Sequence, residues 1–159
     1  MIDRRQLENL IITPSLHAIN MYSDSAKTLL LYTCATESNL GTFVKQQFGG
    51  PALGIYQMEP ATYQDNWINN INQRETLRQS ILKAINCMIK PEADQMIWDL
   101  RLATIMARVH YSRFSEPIPE AGDFDGLVEY YHKYWAPNPA MTTIGKAKDR
   151  IQTILFGKR

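Results

Sequence analysis

This chain of 159 residues has little of several things, and each shortage excludes something. It has two cysteines, Cys34 and Cys87, in no metal-ligand spacing, so neither a disulfide framework nor a zinc cluster organises the fold. It has no uninterrupted apolar run long enough to span a bilayer. It has no excess of one charge: 17 Lys and Arg stand against 16 Asp and Glu, a formal net charge of +1. A general nucleic-acid binder needs a basic face, so that class is disfavoured. The strand signature of alternating apolar and polar residues is absent too. What remains is a soluble-type composition, 45% hydrophobic and 21% charged, that fits one folded domain over residues 1–159.

What is present reads as helices. Residues 5–21 form a first helical region interrupted near Thr13-Pro14. Ser23 or Asp24 can cap a helix running through Ala26, Leu29, Leu30, Thr33 and Cys34 to Glu37. Residues 39–58, with Gly41, Gly49, Gly50, Pro51 and Gly54, break the pattern as a loop or short ribbon. Pro60 suits the first turn of a helix reaching Trp67. Leu77, Ile81, Ala84, Ile85 and Met88 recur at helical spacing until Lys90-Pro91. Residues 91–114 are apolar on nearly all sides, which predicts a central buried helix. Two more helices are expected over 124–135 and 143–156.

The chemistry concentrates in two places. Leu30, Cys34 and Glu37 share one helix face, so Glu37 lies toward the core at the last turn. Desolvation and the negative end of the helix dipole would both raise its pKa, which suits a general acid. The plain alternative is a solvated glutamate at a helix end. Seventeen residues later comes Gly54-Ile55-Tyr56-Gln57, where glycine allows close backbone approach and the glutamine amide can bond sugar hydroxyls. Its plain alternative is a turn. Ser38 has no histidine in a supporting pattern and reads as a hydrogen-bonding residue beside Glu37, not a nucleophile. His110 reads as a hydrogen-bonded core histidine. Trp67 could stack on a ligand or sit in the core; Trp98 and Trp135 read as core.

Glu37-Ser38 followed by Gly54-Ile55-Tyr56-Gln57 resembles the first two motifs of the lytic transglycosylases, lysozyme-like enzymes that cut peptidoglycan. The second motif usually reads Gly-Leu-Met-Gln, so Ile55 and Tyr56 depart from it. Gly126 to Tyr131 falls where the family has Ala-Leu-Ala-Ala-Tyr-Asn, which aligns Tyr130 with the tyrosine that contacts the catalytic glutamate. Tyr131 then replaces the asparagine. The resemblance spans roughly residues 25–135.

It implies a mainly α, lysozyme-like single domain with an irregular or β-ribbon segment around 39–58. It implies Glu37 as catalytic acid and then base, with Ser38, Gly54, Tyr56, Gln57 and Tyr130 against the substrate. The bond cut would be the β-1,4 link between N-acetylmuramic acid and N-acetylglucosamine, with no metal and no cofactor. Glu59 and Asp65 are the candidates for a second carboxylate should the reaction be a muramidase hydrolysis. Expected partners are peptidoglycan strands and other virion proteins, with no nucleic acid and no membrane span. The lack of a signal peptide suggests a bacteriophage protein made in the host cytoplasm, carried in the virion or released to reach the periplasmic wall. The competing reading is a non-catalytic lysozyme-like assembly protein.

Overall fold

A computed structural model describes residues 1–157, and it is mainly helical. The chain opens with α1 (Arg4–Gln6), passes through a π-helical stretch (Leu7–Ile12) and continues as α2 (Thr13–Ala18). The expected interruption at Pro14 is thus a wide turn in a continuous helix, not a break. Proline brings no N–H and crowds the carbonyl four residues back, and a π stretch before it relieves both problems. Helices α3 (Asp24–Ser38), α4 (Pro60–Asn69), α5 (Glu75–Ala84), α6 (Leu100–Tyr111), α7 (Phe124–Tyr134) and α8 (Ile144–Phe156) complete the set.

Most boundaries follow from caps. The Ser23 hydroxyl accepts the Ala26 N–H at 3.0 Å, Asp99 accepts from Leu102 at 2.9 Å, and Asp123 accepts from Gly126 at 2.9 Å. Two expectations need correction. The helix expected to reach Met88 ends at Ala84, because Asn86 turns left-handed (φ 55°) and the Cys87 N–H reaches back to the Leu82 carbonyl. Likewise, the buried helix expected over 91–114 is helical only from Leu100; before it lie a 3₁₀ turn (Ala93–Ile97) and the Asp99 cap.

Two helices form the centre. α6 buries Leu102 through Ala107, Val109 and Tyr111, as its all-round apolar pattern predicts. α3 is equally enclosed, with every residue from Leu29 to Thr36 buried, and it packs against α6, α7 and α8. Threonines keep such a helix compatible with the core because Thr33 and Thr36 return their hydroxyls to carbonyls one turn back, Leu29 and Tyr32. α3 therefore carries Glu37, near its C-terminus, to the edge of the core, where it is half-buried.

The irregular segment is a short clamped ribbon. Isolated antiparallel bridges join Lys45 to Leu53 and Leu53 to Met58, with a 3₁₀ turn at Gln47–Gly49 between the first pair. It returns the chain from the end of α3 to the start of α4.

Candidate active site

Helix α3 ends in a tight cap. Asn39 adopts the left-handed conformation (φ 52°) and its N–H bonds the Ala35 carbonyl, while the Leu40 N–H reaches Cys34. Glu37 sits in the last turn, two residues before that cap, and is half-buried. Its pKa is pushed up to about 7, above all by desolvation; a hydrogen bond from Tyr131 and the Arg150 guanidinium pull the other way without cancelling it. The helix C-terminus adds partial negative charge, which acts in the same direction as desolvation. A carboxyl that is half protonated near neutral pH can donate a proton and later take one back.

The direct partner of Glu37 is the Tyr131 hydroxyl, which donates to Oε1 at 2.6 Å. This corrects the expectation for Tyr130. The Tyr130 hydroxyl instead donates to the Glu116 carbonyl at 2.9 Å, and its ring lies against Tyr111 and Tyr134 at centroid distances of 5.9 and 4.6 Å. Consecutive residues on a helix point about 100° apart, so a one-residue misalignment exchanges their roles. Tyr111, whose hydroxyl pairs with Thr33 at 2.8 Å, lies near enough to Glu37 to feel its charge.

Ser38 is fully buried, so it does not touch a substrate. Its hydroxyl bonds the Ile55 carbonyl at 2.6 Å and accepts the Gly41 N–H at 2.9 Å. It fastens the end of α3 to the Gly54–Gln57 turn, and this is the physical link between the two sequence motifs. The serine beside the glutamate is a clamp.

Gly54 and Tyr56 are also inside. Gly54 has φ +74°, and a Cβ there would lie 2.7 Å from the Met96 carbonyl and 3.3 Å from the Ala103 side chain. The close approach that requires glycine is to this protein's own backbone, not to a ligand. Tyr56 is 1% exposed and shares a 3.2 Å hydrogen bond with Thr104 on α6. Both residues were expected against substrate; they serve the turn's packing instead.

Gln57 is the member of the motif that keeps some exposure. It holds a left-handed conformation (φ 51°), and its side-chain amide donates to the Gly54 carbonyl at 2.8 Å. That bond uses the NH₂ end and leaves the carbonyl oxygen able to accept. Of the two roles open to Trp67 the structure shows the core one, for it is fully buried; Trp98, expected in the core, is instead 70% exposed, two residues beyond the Met96 carbonyl that touches Gly54. His110 is the expected core histidine, set between Asn66 and the Tyr134 carbonyl at 3.4 Å each, and burial lowers its pKa.

Of the candidate second carboxylates, Asp65 is engaged by Arg113 and by Asn69, contacts that hold its pKa below the usual range. Glu59 is exposed at the start of α4. Two surface depressions, of about 320 and 390 Å³, are lined around Ile19, Arg74 and Leu77 and around Tyr32, Phe124 and Phe156. Glu37 lines neither. Among the described residues, no group of three His, Cys, Asp or Glu could hold a metal ion, and no helix is long and apolar enough to cross a membrane.

Sequence reasoning missed Tyr131 as the glutamate's partner, and it missed Arg150, which acts on Glu37 from α8. Comparison with protein-family models, with curated proteins and with solved structures finds no match to this chain.

Proposed function

We propose that this chain is a peptidoglycan lytic transglycosylase with a lysozyme-like fold, cutting the β-1,4 bond between N-acetylmuramic acid and N-acetylglucosamine. The observation that carries the reading is Glu37 itself: a half-buried carboxyl at a helix end, with a pKa of about 7 and a tyrosine hydroxyl fixing one oxygen. The resemblance of Glu37-Ser38 and Gly54–Gln57 to the transglycosylase motifs supports it, as does the Ser38–Ile55 bond that couples the two. A one-residue shift of the third motif, aligning Tyr131 with the family's tyrosine, is the natural companion of this reading.

Protonated Glu37 gives its proton to the glycosidic oxygen as the bond to the anomeric carbon of the muramic acid breaks. The Glu37 carboxylate then removes the proton from that sugar's own primary hydroxyl, whose oxygen closes onto the anomeric carbon. The glutamic acid is regenerated, no water is consumed, and the product carries a 1,6-anhydro end. One carboxyl serves both halves because its pKa lies between the two tasks. A muramidase hydrolysis would need a second carboxylate near the bond, and Asp65 is already paired with Arg113.

Gln57, half-exposed on the turn fastened to Ser38, is the residue of the second motif suited to accept or donate to the glycan. A bacteriophage origin, with action from the virion or at lysis, belongs to the same proposal. The test is incubation of purified protein with peptidoglycan, followed by mass analysis of the released muropeptides. Anhydro ends are expected. Reducing ends would convert the proposal to a hydrolase, and no release would favour the non-catalytic assembly protein.

A further inference from the structure

Arg150 is an exposed cation held in place beside the candidate acid, with no anion partner among the described residues. Its Nε donates to the Asn39 side-chain oxygen at 2.9 Å. Asn39 is the left-handed cap two residues beyond Glu37, so the cap that ends α3 also anchors the guanidinium. The guanidinium is close enough to act on Glu37, yet no ion pair forms between them. Had it paired with Glu37, the carboxylate would be stabilised and the acid lost.

Several arginines are engaged away from Glu37. Arg4, Arg78 and Arg113 pair with Glu8, Glu75 and Asp65, and Arg108 bonds the Met21 carbonyl. Arg5, Arg74 and Arg101 also lack a carboxylate partner among the described residues, and what singles out Arg150 is its anchorage on the cap beside Glu37. With Nε tied down, the outer edge of the guanidinium keeps two parallel donors, a geometry that matches a carboxylate.

We propose that Arg150, oriented by Asn39, binds a carboxylate of the glycan strand next to the bond that is cut. The inference rests on the transglycosylase reading and gives that site its preference for acidic over neutral glycan. The carboxylate has two sources: the lactyl group of a peptide-free muramic acid, or the stem peptide where the lactyl group is amidated. A neutral chitin chain has neither.

Binding in the Glu37→Gln background tests this without depending on cleavage. The probes are a peptide-free tetrasaccharide of alternating N-acetylglucosamine and N-acetylmuramic acid, the same tetrasaccharide carrying stem peptides, and chitotetraose. Adding Arg150→Gln is expected to weaken at least one acidic probe by about tenfold or more, the range for a hydrogen bond to a charged group. Chitotetraose affinity should stay unchanged. Loss confined to the peptide-free probe identifies the lactyl carboxylate, and loss confined to the peptide-bearing probe identifies the stem.

Asn39→Gly keeps the left-handed cap but removes the anchor, and should give a smaller loss on the same probe. Equal loss on chitotetraose, no loss on any probe, or failure of the acidic probes to bind would each overturn the proposal. Cleavage by the wild-type chain is scored separately: release of muropeptides with Arg150→Gln binding unchanged leaves the enzyme reading standing and removes this one.

Discussion

At the scale of single residues, the account turns on the pair of Glu37 and Tyr131. Tyr131 donates to the carboxylate and so favours its charged form. Tyr131→Phe removes that bond, and the Glu37 pKa should rise. In a pH–rate profile the limb governed by Glu37 as acid is expected to move to higher pH, with a loss of maximal rate of about tenfold from the less well-fixed carboxyl. A limb that moves down would mean that the hydroxyl does not donate to Glu37. Glu59→Gln and Asp65→Asn should cost far less than any change at Glu37. If either is as inactive as Glu37→Gln while folding normally, the reaction uses two carboxylates.

Glu37 was legible because apolar spacing marks which face of a helix is buried and Asn39 and Gly41 mark where it stops. Tyr131 was not, since Tyr130 and Tyr131 are both aromatic, adjacent and buried, and a local pattern does not resolve which one turns toward a residue on another helix. Arg150 lies more than a hundred residues from the cap it bonds, and nothing local announces that contact.

At the scale of elements, the site depends on how the end of α3 is fastened to the 54–57 turn. Ser38→Ala leaves the Ile55 carbonyl and the Gly41 N–H without their partner in a buried place. The cost should be about 1–3 kcal/mol in urea unfolding, with activity falling more steeply than stability because the turn carrying Gln57 loosens. Gly54→Ala combines a positive φ with a 2.7 Å approach to the Met96 carbonyl. It should destabilise by about 2 kcal/mol or more; a neutral result would show that the turn is not held against the segment preceding α6.

The helices were largely readable from caps, prolines and periodicity. The orientation of the motif residues was not. Ser38, Gly54 and Tyr56 are spaced like residues that meet a ligand, but a spacing does not say which way a side chain points. In this fold all three are buried: Gly54 and Tyr56 pack the turn against its neighbours, and Ser38 fastens it to α3.

At the scale of the whole molecule, Glu37 makes folding stability depend on pH. Its folded pKa of about 7 lies above the ordinary 4.5, so the folded state holds the proton more tightly than the unfolded chain. The stability this contributes is full below about pH 4.5, declines as pH rises, and is gone above about pH 7. The difference of about 2.5 units corresponds to roughly 3 kcal/mol at most. Glu37→Gln keeps an acceptor for Tyr131 without the charge, so it should match the wild type near pH 4 and exceed it by up to that amount at pH 8.5 in urea denaturation. Equal stability at both pH values would show that Glu37 is not desolvated in the folded state.

A glutamate whose charge destabilises the fold is a local inconsistency that function would explain. The most direct measurement is therefore glycan release from peptidoglycan by wild type and Glu37→Gln, each verified as folded by circular dichroism. The account predicts a loss near the upper end of the hundredfold to ten-thousandfold range for general acid–base catalysis, since one carboxyl acts in both steps. Undiminished release by Glu37→Gln would contradict it.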